Sequence, residues 1–315
     1  MGTGEFAAPS LAVLIAANYS VVAVYTKPLS AHGRSRTKAV PNPVRARAER
    51  HAIPVHDPAG RLSDADTLAT LRSLAPDIII VAAYGNILPQ SVLDLPRHGC
   101  VNVHASLLPR WRGASPIHAA IRAGDTQTGV TIMRMDAGLD TGPIIAQKSR
   151  AITPHMHTPE LFVLLADDGA RLLVEVLPDY LRGVRVPQPQ STHGVTTCRT
   201  LTRDDGHINW HDTTQSIYNQ FRAYDPWPGI FTLWHRDAAN APLRLKLTDI
   251  RPCMDAPRHM PGTVFSTDTH PLCVATADGA LVVKRVQLQG KNDMDARAFV
   301  NGYGDIITAR LGEMW

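Results

Sequence analysis

Cysteine is scarce in this chain. Cys100, Cys198, Cys253 and Cys273 are scattered through 315 residues, with no CxxC pair and no Cys/His cluster at metal-ligand spacing. That argues against a disulfide framework or a structural zinc site and fits a reduced, cytoplasmic setting. Long apolar runs are missing too. No window approaches the ~18 uninterrupted apolar residues of a membrane span, and the N-terminus has no basic stretch leading into an apolar one, the pattern of a secretory signal. Neither a membrane partner nor export is expected. The 22 glycines and 24 prolines are too few for a collagen-like or low-complexity chain, and no internal repeat is visible. The 14 histidines show no HExxH. Ser106 is not in a Gly-x-Ser-x-Gly elbow. Metal-dependent and serine hydrolysis therefore both lack their sequence patterns, and no metal is expected.

What is present is a chain long enough for two domains, each able to bury its own core. The formal net charge is +4, and it is unevenly spread. Lys27, Arg34, Arg36, Lys38, Arg45, Arg47 and Arg50 stand against the single acid Glu49, which leaves the rest of the chain slightly acidic. One basic patch on a near-neutral protein suits a polyanionic partner at one spot; a solvated helix face with a charged loop is the plainer reading.

The first half alternates apolar runs with helical patterns. Helices are predicted over 7–17, 43–51, 64–74 and 116–123, with strands at Val21–Tyr25, Ile53–Val55, Asp77–Ala82 and Gly99–Val103. Apolar runs without polar alternation suit strands buried on both faces. Interleaved with helices, they predict an α/β fold with a doubly wound, mostly parallel sheet, whose ligands bind beyond the carboxyl ends of the strands. Residues 158–182 read as a long amphipathic helix. The two prolines in Gly183–Thr192 mark a linker over 183–203. From about Asp204 short alternating runs separated by turns predict a small β-barrel over 204–315. Residues 1–182 would then be the catalytic domain. Trp227, between two prolines, is expected to pack in a core or between domains.

The densest chemistry lies between Asn102 and Pro143. Asn102 and His104 are two apart at a strand end, so they point to the same side. Pro109 follows closely and has no N–H to continue a central strand. A carboxamide and an imidazole at the carboxyl end of a strand suit acyl transfer: the amide can hold a carbonyl oxygen as charge builds on it, and the ring can donate or shuttle a proton near neutral pH. A nearby carboxylate would orient the ring. Asp140, in the glycine-flanked Gly138-Leu-Asp140-Thr-Gly142, is the first candidate and Asp136 the competitor; an aspartate between glycines also reads as a turn former. A second strand-end loop, Ala82 to Pro89, could bed a flat ligand on its backbone.

These residues carry a resemblance. Asn102-Val-His104-Ala-Ser-Leu-Leu-Pro-Arg-Trp-Arg-Gly113, with Met135-Asp-Ala-Gly-Leu-Asp-Thr-Gly142 downstream, resembles the folate-dependent formyltransferase family, and within it the methionyl-tRNA formyltransferases. Ala83–Pro89, Arg222–Gly229 and Gly290–Met294 are similar to further motifs of that family. The resemblance implies a Rossmann-like domain followed by an OB-like barrel that binds tRNA. It also implies transfer of a formyl group from 10-formyltetrahydrofolate to the amino group of methionine on initiator tRNA. Asn102 would bond the formyl oxygen. His104, charged, would stabilise the oxyanion, and Asp140 would pair with it. Ser106, Leu107, Leu108 and Pro109 match the segment contacting folate, and the backbone about Tyr84, Gly85, Leu88 and Asp136 would hold the pterin. Arg34 matches the family's tRNA-contacting arginine, with Arg36 one alignment slip away and Lys38 in the same loop. A monomer is expected.

One departure stands out. The family has a short apolar strand before its Gly-Thr-Pro, whereas here Met1-Gly2-Thr3-Gly4 opens the sequence. The first strand is therefore expected to be missing, leaving unpaired backbone and uncovered apolar surface in the middle of the sheet. That absence suggests one alternative, a truncated, inactive tRNA-binding homologue; because the Asn/His/Asp set is shared across the family, another is a formyltransferase for a different amine, nucleotide-linked or glycinamide ribotide.

Overall fold

The structure is a computed structural model that describes residues 1–28, 42–58, 60–236 and 241–312. Arg34, Arg36 and Lys38 lie outside the described residues. The chain divides into two compact units: Met1–Ile117 with Thr126–Thr153 and Glu160–Arg199, and His118–Asp125 with Pro154–Pro159 and Thr200–Trp315.

The first unit begins with α1 (Ala8–Ala16), β1 (Val24–Tyr25), α2 (Pro43–Arg50), β2 (Val55–His56), α3 (Ala65–Ser73), β3 (Ile79–Val81), α4 (Gln90–Leu93) and β4 (Cys100–His104). Then come β5 (Arg112–Gly113), α5 (Pro116–Ala123), β6 (Gln127–Arg134), β7 (Ile144–Ala151), α6 (Thr158–Leu181) and β8 (Thr197–Cys198); α5 and α6 cross the unit boundaries. The local reasons are ordinary. Proline stands at the start of α1 and α2, where its missing N–H costs nothing. Asn42 caps α2 by accepting from the N–H groups of Val44 and Arg45.

The sheet that positions the site runs β3-β4-β6-β7. β3 and β4 are parallel, while β4–β6 and β6–β7 are antiparallel. The buried run Thr128–Met133 on β6 lies between two partners, and β7 at the edge exposes Gln147 to Ser149. A separate parallel pair joins β1 to β2. The predicted strand at Val21–Tyr25 shortens to its last two residues, because only Val24 and Tyr25 find partners, Val55 and His56.

Between β1 and β3 lies the N-terminus. The Met1 ammonium donates to Ile80 O at 2.6 Å, Ala82 N donates to Met1 O at 3.0 Å, and Gly2 N donates to Tyr25 O at 2.9 Å. Two residues thus bridge the sheet's two parts where the first strand was expected to be lacking. Beside them is a cavity of about 330 Å³ whose walls include Leu11, Leu14, Val24, Ile78, Ile80 and Leu177. Burial pushes the Met1 ammonium pKa down to about 6.

The second unit adds α7 (Thr214–Ala223), β9 (Ile230–Trp234), β10 (Leu243–Cys253), β11 (Val264–Phe265), β12 (Cys273–Ala275), β13 (Ala280–Leu288), β14 (Asp293–Asp295) and α8 (Ala296–Gly302). The strands form one antiparallel sheet in the order β11-β12-β13-β10-β9, with β14 on β13. No ladder joins β9 to β11 among the described residues. Trp234, fully buried, meets Phe299 edge-on at 6.1 Å. Arg222 is buried and donates to Met156 O and Asn219 Oδ1, which ties 154–159 to α7. Trp227 corrects the expectation of a core residue: it is 51% exposed, in the short turn between α7 and β9.

Candidate active site

β4 is the third-longest described strand of its unit and lies between β3 and β6. Its alternation puts Asn102 and His104 on one face. Asn102 is opposite Met133 and His104 opposite Thr131 on β6. The chain then turns away. Thr131 Oγ1 donates to Ser106 O at 2.6 Å and accepts from Leu108 N at 3.1 Å, and Gln147 Nε2 donates to Leu108 O at 2.9 Å. These bonds pin residues 106–109 across the carboxyl end of the strand.

Asp140 comes back to the same place from the β6–β7 connection. Its Oδ2 lies 3.6 Å from His104 Nδ1 and accepts from Gly113 N at 2.9 Å; its Oδ1 lies 3.5 Å from Asn102 Nδ2. Asp140 adopts φ +53°, a left-handed conformation that few side chains adopt without cost. Trp111, also at positive φ, turns its carbonyl to His104 Nε2 at 3.0 Å. A carbonyl only accepts, so Nε2 carries the ring's proton and Nδ1 presents its lone pair to the carboxylate when the ring is neutral. Burial lowers the His104 pKa; Asp140 and the Trp111 carbonyl oppose that shift without reversing it. Burial thus favours the neutral ring over the charged one, and the carboxylate 3.6 Å from Nδ1 is placed to stabilise a positive charge on the ring when one develops.

The structure separates the two candidate aspartates. Asp136 spends Oδ1 on Gly138 N at 3.1 Å and Thr141 Oγ1 at 2.7 Å, so it shapes the loop that carries Asp140. The other sequence-predicted residues divide as well. Ser106 is fully buried and donates to Arg110 O at 2.5 Å, and Leu108 is buried, so both side chains pack within the turn. Leu107 and Pro109 are half-buried. Tyr84 and Leu88 belong to the apolar cluster around β3. Gly85 is exposed at φ +72°, beside Ile87 at 91% exposure, and Leu139 next to Asp140 is 67% exposed.

Several contributors escaped the sequence reading. The segment 183–203, read as a linker, is bonded to this unit as far as Cys198: Gln188 pairs with Ile144, Thr196 Oγ1 accepts from Trp111 N at 2.8 Å, and β8 pairs parallel with β5. Gln190 donates to Asp140 O and to Gly142 O, both at 2.8 Å. The Cys198 thiol donates to Arg112 O at 3.4 Å, and burial raises its pKa. The only sequence signal for this role was the density of hydrogen-bonding side chains between the two prolines and Cys198.

A Rossmann-like sheet with an amide, an imidazole and a carboxylate gathered at the carboxyl end of an inner strand defines an α/β group-transfer enzyme. Residues 1–177 match the formyl transferase family and residues 200–304 the formyl transferase C-terminal domain; the chain belongs to that family. It is 42% identical over 313 residues to the methionyl-tRNA formyltransferase of Magnetococcus marinus, covering 99% of this chain and 97% of that one. It is 42% identical over 301 residues to the methionyl-tRNA formyltransferase of Halorhodospira halophila, covering 96% and 94%. Among solved structures, an N-formyltransferase from Helicobacter canadensis in complex with folinic acid and dTDP-3-aminofucose has a similar fold (TM-score 0.64, 16% identity, 90% of this chain and 96% of that one). HypX from Aquifex aeolicus with tetrahydrofolic acid does too (TM-score 0.56, 18% identity, 82% and 44%). No described helix is long and apolar enough to cross a membrane.

Proposed function

We propose that the protein transfers the formyl group of 10-formyltetrahydrofolate to the α-amino group of methionine esterified to initiator tRNA. The observation that carries this reading is the convergence of Asn102, His104 and Asp140. The chemistry needs a donor for the formyl oxygen and an acceptor for the amine proton, and no covalent link to the protein. The amide of Asn102 donates to the formyl oxygen and strengthens that bond as charge develops there. The neutral imidazole and the carboxylate take the proton released when the amine nitrogen bonds to the formyl carbon. The proton fills the gap between Nδ1 and Oδ2, so the ring becomes cationic at the moment the oxygen becomes anionic. When the bond from carbon to the folate nitrogen breaks, the same pair returns the proton to that nitrogen. The exposed Ile87 and Leu139 offer apolar surface that a flat pterin would cover.

We assign this chemistry to residues 1–182 and tRNA binding to residues 204–315 and to the loop bearing Arg34, Arg36 and Lys38, with 183–203 joining the two. The protein would act in the cytoplasm as a monomer. The test is formylation of charged initiator tRNA by purified protein and 10-formyltetrahydrofolate, in competition with nucleotide-linked sugar amines and glycinamide ribotide. Preference for a small amine selects the related formyltransferase; tRNA binding without transfer at high protein concentration selects the non-catalytic homologue. His104→Ala lowers kcat by about 100-fold or more; unchanged turnover overturns the mechanism.

A further inference from the structure

We propose that Gln190 is a positioning residue for this reaction, holding the backbone of the Asp140 loop so that the carboxylate faces His104; the proposal rests on the function assigned above. Gln190 uses its whole hydrogen-bonding capacity at one spot. Its Nε2 donates to Asp140 O and Gly142 O, both at 2.8 Å, while its Oε1 accepts from Arg112 Nε at 3.1 Å and Arg112 Nη2 at 2.8 Å. A carboxamide is suited to this because it has two donors on one atom and two lone pairs on the other.

The contacts close a ring around Asp140. Arg112 precedes Gly113, whose N–H holds Asp140 Oδ2 at 2.9 Å. Gln190 therefore grips the carboxylate from two directions, through the loop backbone and through β5. The loop needs such a grip. Asp140 sits at positive φ, a conformation a non-glycine residue keeps only when its surroundings hold it. Gly142 is wedged so closely that a Cβ there would lie 1.9 Å from Arg134 O. Gln190 is itself anchored two residues back, where Gln188 N and Ile144 O are 2.8 Å apart and Ile144 N and Gln188 O 2.7 Å apart. The segment after α6 thus reaches the reacting groups without contributing a side chain to them.

The test compares Gln190→Met, uncharged and of similar length, with Gln190→Glu, which keeps an oxygen for Arg112 but turns a second acceptor toward the two carbonyls. For both variants kcat falls about 10- to 100-fold, as loss of near-attack geometry requires, while KM for tRNA and folate donor stays within about threefold. In an Asp140→Asn background the same substitutions cost less than about twofold further, because the group they position is gone. The second readout is the His104 titration by NMR in Gln190→Met. The groups facing that ring are the Asp140 carboxylate and the Trp111 carbonyl, with the Asn102 amide beside the carboxylate and the Cys198 thiol behind Trp111. Loosening Asp140 removes the contribution that raises the ring's pKa, so it titrates at lower pH. Turnover within twofold of the parent, an equal loss in the Asp140→Asn background, or an unmoved His104 titration each overturn the proposal. If the parent protein transfers no formyl group while the titration still moves, the assigned function fails and the positioning role stands.

Discussion

The backbone N–H of Gly113 donates to the same Asp140 oxygen that faces His104, at 2.9 Å. Only glycine fits there. Its φ is +116°, and a Cβ would come within 2.0 Å of the Cys198 carbonyl oxygen. Gly113→Ala therefore pushes β5 off β8 and withdraws the N–H from the carboxylate. The expected result is a loss of about 1–3 kcal/mol of stability and a fall in kcat of about 10-fold or more. A thermal melt beside a single-turnover assay checks both; a fully active Gly113→Ala shows that this bond does not matter.

The His104–Asp140 pair sets the pH dependence. Its base must be unprotonated in the free enzyme, so kcat/KM falls as pH drops through the His104 pKa. Burial puts that pKa below the ordinary 6.5. Asp140→Asn removes the charge that raises it, so the acid limb moves to still lower pH while the plateau drops. A pH–rate profile of parent and variant reads both changes; an acid limb moving upward refutes the assignment.

The buried Met1 ammonium gives a different pH effect. Its pKa is 8.0 in an unfolded chain and about 6 in the folded one. The unfolded state therefore binds more protons between those values, and stability rises as pH climbs from 6 to 8. A shift of that size corresponds to roughly 2–3 kcal/mol. In protein with Met1 intact, acetylating the amine or extending it by a short apolar peptide should remove this slope. The extension should also raise Tm by filling the neighbouring cavity. Urea melts at pH 6 and 8 decide it; parallel slopes with and without the free amine dismiss the effect.

Arg34 is tested through salt. If it meets a tRNA phosphate, Arg34→Ala weakens binding across tRNAs and reduces the slope of log K against log salt by about one. An unchanged slope moves the contact elsewhere in the basic segment.

Much of the catalytic cluster was legible in the residues. Asn102 and His104 could be paired on one face because strand alternation is local and Pro109 marks where the strand must stop. Asp140 could be preferred to Asp136 from its glycine-flanked position and the motif resemblance, but only the folded loop shows Asp136 spent on Gly138 and Thr141. Ser106 matched a ligand-contacting segment, yet its hydroxyl turns inward to Arg110 O. Gln190 stood in a proline-marked stretch that carries no periodicity, so nothing local tied it to a loop some fifty residues earlier.

The amino-acid sequence by itself determined the class of fold, the strand that bears the amide and imidazole, and the family, because each is written in short-range patterns of apolar spacing, turn residues and motif. The tertiary structure alone showed Asp136 turned to its own loop while Asp140 reaches the imidazole, buried that ring away from water, and brought the segment after α6 against the Asp140 loop. Those outcomes depend on groups far apart in the chain being brought within hydrogen-bond reach and out of water, and such distances and burial exist only after the chain has closed on itself.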